Sequence, residues 1–239
     1  ALIVDNTPFC VLVPTTLAAL FQSPDDYNQR WLYASTIRLV RFIAILLSII
    51  LPAIYVSVTS FHTAILPTRL LYAIAASREG VPFPAFIETL IMEVSMALLV
   101  EAVLRLPSGL GSTIGIVGGL IIGQAAVTAG IVSPAMIIIV SLTSLTTFIT
   151  PSYEVISSQR IIRLALIVAA SIIGFYGIML MLIVFLIHLI KLESFGVPYM
   201  APAVNTRSSD LKDLFIRAPL QFFKKRPAYI NPQDKIRQK

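Results

Sequence analysis

The chain has 239 residues, 57% of them hydrophobic and 13% charged, with a net charge of +6. Soluble domains carry about 25% charged residues, so the composition argues against a water-soluble globule, and a disordered chain is excluded by the wealth of apolar side chains. One cysteine, Cys10, rules out a disulfide scaffold, and with only two histidines a zinc or iron–sulfur centre within the chain is not expected.

Ala1–Val4 and Phe9–Val13 are short apolar runs around Asp5-Asn6-Thr7-Pro8, which predicts a β-hairpin. A lone hairpin is marginal in water, so it is expected to finish a soluble domain whose remainder lies outside this sequence. Ser23-Pro24-Asp25-Asp26 reads as a helix start, with Ser as N-cap, Pro in the first helical position and acids in the first turn. The helix that follows carries Tyr27, Trp31 and Tyr33, suited to a membrane interface, together with Arg30, Arg38 and Arg41. The first apolar span is Leu39–Ser60. It is long enough for a hydrocarbon core of about 30 Å, and Pro52 is expected to kink it. Residues 61–84 read as irregular, with a short helix over Arg69–Ala76. Pro82 and Pro84 then remove two N–H donors and break the chain firmly.

Ala85–Leu104 is helical in composition but holds Glu88, Glu93 and Glu101. At about 100° per residue these acids point in different directions, so this is not an amphipathic surface helix. A carboxylate at mid-membrane costs about 2.5–3.5 kcal/mol on insertion scales, so the helix is expected inside protein, its acids facing partners, water or neighbouring subunits. Arg69, Arg78 and Arg105 are available for ion pairs; direct ion coordination is the other reading. Ser112–Ala129 and Ile131–Thr150 are the next spans, joined by a turn at Gly130. Ile161–Ile190 is an apolar run of 30 residues, which must tilt, kink or extend beyond the bilayer. The expected fold is an all-α polytopic membrane protein with four to five transmembrane helices and a short N-terminal β-hairpin. Residues 1–36 form the end of a cytosolic domain and an interfacial helix, 37–190 the transmembrane domain, and 191–239 a basic cytosolic tail.

That tail holds ten Lys or Arg against four acids, including every lysine, so its net charge equals that of the whole chain. A basic segment after the last span marks the cytoplasmic side. Lys224-Lys225-Arg226 suits anionic lipid headgroups; with no repeated Arg/aromatic platform, no nucleic-acid partner is expected.

Within the third span Gly111, Gly115, Gly119 and Gly123 recur every four residues and form a smooth ridge for close helix–helix contact, within the chain or between subunits. The opposite side carries Thr113, Val117, Leu120, Gln124 and Thr128. Gln124 either bonds a neighbouring helix of the same chain or, if several copies ring an axis, this face lines a path with polar ends and an apolar waist that gates by dewetting. No G-x-x-x-x-G-K-[ST], H-E-x-x-H or G-x-S-x-G is present, so no enzyme and no cofactor is expected.

Four segments occur in order: Ser23-Pro24-Asp25-Asp26-Tyr27 with Arg30-Trp31; Arg78 through Phe86; Ile122-Gly123-Gln124-Ala125-Ala126-Val127; and Ser194-Phe195-Gly196-Val197-Pro198-Tyr199. Together they are similar to the A subunit of bacterial endospore germinant receptors, the GerA family, over about residues 1–205. The resemblance implies a non-enzymatic subunit in the inner membrane of the spore, where four crossings, with Arg30, Arg38 and Arg41 at one end and the basic tail at the other, are expected to put both ends toward the core. It would work with a transporter-like B subunit that binds nutrient and a lipoprotein C subunit, and would form a homo-oligomeric, nutrient-gated channel for monovalent cations. Leu120 is then the expected constriction and Gln124 its polar neighbour. A scaffold for the transporter-like partner, or a paralogous spore-membrane protein for ion or dipicolinate release, are the rival readings.

Overall fold

The computed structural model describes residues 2, 3, 5, 10–106, 108–204, 213, 216–219, 226, 234 and 236. Among these, β1 (Leu2–Ile3) pairs antiparallel with β2 (Cys10–Val11), in the register Leu2 to Val11 and Ile3 to Cys10, which is the expected hairpin. α1 (Leu17–Phe21) and α2 (Asp25–Asn28) are short. The helix expected to run on from Ser23 stops at Asn28, with Gln29 extended, and a new helix, α3 (Trp31–Ser60), begins two residues later. The break has a chemical cause: the Arg217 guanidinium donates to the carbonyls of Asp26, Tyr27 and Gln29, which a continuing helix would need for its own N–H groups.

Pro52 lies inside α3. It has no N–H for the carbonyl of Ser48, four residues earlier. Downstream are a 3₁₀ turn at Thr63–Ile65 and α4 (Thr68–Arg78), longer than expected by one residue at its start and two at its end. α5 (Ala85–Leu104) begins directly after Pro84 and carries Glu88 in its first turn, where the helix dipole favours an acid. α6 (Ser108–Thr128) starts four residues earlier than expected. It ends at Thr128, and Gly130 just beyond, with a φ of 66°, brings the Ile131 N–H to the Ala126 carbonyl at 3.0 Å. α7 (Pro134–Ile149) starts at its proline rather than at Ile131. Ser133 caps it, its hydroxyl accepting from Met136 N–H at 3.3 Å.

The long apolar run after residue 160 is broken rather than tilted. α8 (Tyr153–Ile173) and α9 (Phe175–Lys191) meet at Gly174, whose φ is 67°. β3 (Glu193–Ser194) and β4 (Val197–Pro198) close a second hairpin through Phe195 and Gly196, both at positive φ (51° and 76°), as a two-residue turn of primed type requires.

Among the described residues two helices are long and apolar enough to cross a membrane, Trp31–Ser60 and Val155–Ile173. Thr113–Thr128, Pro134–Thr146 and Phe175–Lys191 are shorter apolar helices.

The chain forms two compact units. One is drawn from Ala1–Ala44, Ile149–Ile156 and Ile183–Lys239. In it Thr15 N–H donates to Ser194 Oγ and Leu17 N–H to the Tyr199 carbonyl, so the C-terminal hairpin holds the segment before α1. The other comprises Ile45–Phe148 and Ser157–Leu182. It has two buried apolar clusters, one of Ala53, Val56, Leu166, Ile167, Ala170 and Ile178, the other of Tyr55, Ala85, Met92, Val132, Met136 and Val140.

Candidate functional site

The glycine ridge of α6 is occupied within the chain. A methyl group at Gly111 would lie 3.0 Å from the Val103 carbonyl oxygen, and one at Gly115 3.3 Å from Val103 Cγ2. Gly119 faces Leu99 and Met96 at ordinary contact distance, and Gly123 faces Ile137 of α7. Gly118, outside the four-residue repeat, is tighter still, 2.8 Å from Leu99 Cδ1. α5 and α6 therefore form a close-packed helical hairpin in which missing side chains bring the axes together.

The opposite face has no such cover. Thr113, Val117, Leu120, Gln124 and Thr128 are all exposed, Leu120 at 69%. The Thr128 hydroxyl donates back to the Gln124 carbonyl of its own helix. The Gln124 amide makes no hydrogen bond among the described residues. It sits in an apolar helix, where such a group calls for a partner or water.

Two of the three α5 acids are buried, each on a different set of helices. Glu88 is fully buried, and its Oε1 accepts from Ser133 N–H at 2.6 Å and from the Ser133 hydroxyl. Tyr55 Oη lies 3.1 Å from Ser133 Oγ, and Arg78 Nε is 3.6 Å from Glu88 Oε2, so one carboxylate ties α3, α4 and α7 to α5. Glu93 pairs with Arg163 of α8: Nη1 lies 3.0 Å from Oε2 and 3.2 Å from Oε1, and Nη2 donates to Ser48 Oγ of α3 at 2.6 Å. Ser48 stands at the turn that Pro52 leaves without its backbone bond. Glu101 is exposed and pairs with Arg105 one turn on, at 2.8 Å. Of the three arginines expected as partners, Arg78 and Arg105 meet these acids and Arg69 stays exposed on α4.

In the other unit, Asp26 is buried between Arg38 (Nε to Oδ2, 3.1 Å) and Arg41 (Nη1 to Oδ2, 2.9 Å). Its Oδ2 also accepts from Ser23 N–H, as a third-position acid does at a helix start. Burial works against its charge, but the hydrogen bonds from Arg41, Ser23 and Arg38 outweigh it and hold the carboxyl below the ordinary range. Asp213 accepts from Arg38 Nη1 and from the Tyr27 hydroxyl, both at 2.7 Å. The Tyr27 ring faces two guanidinium groups, those of Arg38 and Arg217, each 5.2 Å from its centre. Burial, then the Asp213 carboxylate, pushes the Tyr27 hydroxyl up.

Residues 1–229 match the family described as Bacillus/Clostridium GerA spore germination protein. The chain belongs to the GerA family. It is similar to spore germination protein B1 of Bacillus subtilis (47% identity over all of this chain and 50% of that protein) and to spore germination protein KA of the same organism (48%, over all of this chain and 44% of that protein). It is also similar to the Bacillus subtilis membrane protein YfkQ, at 45% identity over 95% of this chain and 44% of that protein. The chain thus spans about half the length of these relatives. No solved structure matches it.

In this GerA chain the segments that carry the resemblance have physical roles. The first supplies Asp26 and the Tyr27 ring to the arginine cluster, the second supplies Arg78 to Glu88, and the last is the tight hairpin through Phe195 and Gly196. Sequence reasoning missed Arg163, Asp213 and Arg217, because contacts between residues 70 or more apart leave no local pattern. It also missed Ser133, although Ser133-Pro134 repeats the Ser-Pro start signal read at Ser23-Pro24.

Proposed function

We propose that this chain is the membrane part of an A-type germinant receptor subunit in the inner membrane of the spore, with four to five helices in the bilayer and both ends toward the core. Several copies ring an axis, and the Thr113–Thr128 face of α6 lines a nutrient-gated path for monovalent cations. A transporter-like B subunit binds the nutrient, a lipoprotein C subunit completes the complex, and the basic tail rests on anionic lipid.

The observation that carries this reading is the two-sidedness of α6. Its glycine side is filled by Leu99 and Val103 of its own chain, while its other side is exposed and holds the unbonded Gln124 amide. A ring of such faces presents Gln124 and the threonines to water. The apolar pair between them, Val117 and Leu120, forms a waist that stays dry until it widens.

The full-length subunit, purified with its partner subunits, tests the proposal. Mass measurement of the solubilised complex is expected to find several copies of the subunit, and a liposome assay is expected to find cation flux on adding nutrient. A single copy overturns the ring, and an assembled complex that passes no cation makes the subunit a scaffold.

A further inference from the structure

α6 rests on α5 through Met96, Leu99 and Val103, all beyond Glu93 in the chain. Whatever fixes that half of α5 therefore bears on α6, whose Gly123 end also meets Ile137 of α7. At the start of α5, Glu88 Oε1 accepts from a backbone N–H and a hydroxyl, while Oε2 lies 3.6 Å from Arg78 Nε, neither of these last two atoms having a hydrogen-bond partner among the described residues. Past Glu93, the Ser95 hydroxyl donates to the Ile91 carbonyl of its own helix and Glu101 pairs with Arg105 one turn on. Both of those contacts are local to the hairpin. The Glu93–Arg163–Ser48 contact is a buried polar link that reaches from this part of α5 to the long helices α3 and α8.

Its geometry is that of a link that can open. Both Glu93 oxygens are served by one nitrogen, Arg163 Nη1, rather than by the parallel two-nitrogen fork that gives guanidinium–carboxylate pairs their strength. Arg163 Nε is buried with no partner, and so are both amide atoms of Gln159, one turn earlier on the same side of α8. A buried ionic network left partly unsatisfied is finely balanced, because its charges interact strongly and its unmet groups cost stability.

We propose that the Glu93–Arg163 pair is the pin that holds the α5–α6 hairpin, with Glu88 as its fixed end, and that release of this pin moves the α6 face. Glu93 and Arg163 are positioning residues, acting on the path through Leu99, Val103 and the glycine ridge. The inference rests on the reading of α6 as the lining of the path, so its test carries one arm that does not depend on conduction.

The full-length subunit is made in its complex as wild type, Glu93→Gln, Arg163→Gln and the exchanged pair Glu93→Arg with Arg163→Glu. Amide hydrogen exchange is read over residues 85–128 and cation flux in liposomes. In Glu93→Gln the exchange of 85–128 is expected to rise at least tenfold, while 31–60 stays as in wild type, and flux no longer needs nutrient. The exchanged pair is expected to recover slow exchange and nutrient dependence, which separates a pin from a general need for charge. Unchanged exchange in assembled Glu93→Gln overturns the pin whatever the flux shows. Faster exchange with flux still nutrient-dependent overturns its role in gating. A wild-type complex that never conducts overturns the pore reading instead, and the exchange arm still decides the pinning. If Glu93→Gln fails to assemble, Arg163→Gln is read in the same way.

Discussion

At the scale of single residues, buried carboxylates organise both units. Ser133 serves Glu88 through its N–H and hydroxyl, and the same hydroxyl caps α7. Ser133→Ala removes the cap and leaves Glu88 with the backbone N–H and the nearby Arg78 guanidinium. A loss of about 1–3 kcal/mol is expected, read as a lower unfolding temperature in detergent, whereas a change at exposed Arg69 leaves that temperature unmoved. Asp26 carries a pH dependence. Its folded carboxyl sits below the ordinary value of about 3.9, so its contribution is complete at neutral pH and is lost as acid drives the pH through the depressed value. The unfolding temperature in detergent is therefore expected to hold from pH 7 to 5 and to fall only below about pH 4. Asp26→Ala leaves Arg41 with the Phe21 carbonyl and Arg38 with Asp213, and is expected to show the lowered unfolding temperature already at pH 7, at a cost of about 3–5 kcal/mol.

At the scale of elements, glycines set how closely helices approach and where one breaks. Gly174 lies at a φ of 67°, and a methyl there would come within 2.8 Å of the His62 ring. Gly174→Ala is expected to cost about 1–2 kcal/mol from the backbone alone, with the crowding of His62 added, again read by thermal unfolding. On α6, Gly111→Ala presses on the Val103 carbonyl, which cannot rotate away, while Gly119→Ala finds ordinary contact. The first is expected to destabilise the α5–α6 hairpin and the second to leave it intact; equal effects would show that the ridge is not held by α5. The elements were largely legible in the sequence because their signals are local: hydrophobic runs, the Pro82 and Pro84 break, the Gly130 turn, the glycine repeat. The misjudged boundaries trace to contacts from far along the chain. α2 ends where Arg217 takes its carbonyls, whereas the run after residue 160 kinks at Gly174, one of the outcomes its length allows. Of the candidate site, the α6 face and the three acids of α5 were readable from periodicity and charge. Which side of α6 meets its own chain, and which arginine meets Glu93, depends on tertiary packing alone.

At the scale of the whole molecule, the basic excess has a more limited role than its size suggests. Arg38, Arg41 and Arg217 are buried in the cluster around Asp26 and Tyr27, so these cations hold protein together and are unavailable to lipid. The apolar surface is ample: Ile116, Leu120 and Ile121 of α6 and Tyr176, Met179 and Val184 of α9 are all more than half exposed in the single chain. A surface of this kind is stable against lipid or other copies of a helix, and poorly stable against water. The face bearing Gln124 and the two threonines joins exposed polar groups to an apolar helix and gains from meeting water, which is why the path is proposed there. The most direct test is Leu120→Ala in the full-length subunit, with cation retention of unstimulated vesicles measured against wild type. The account predicts assembled complexes that lose cations without nutrient; normal assembly with wild-type retention and a wild-type nutrient response would contradict it.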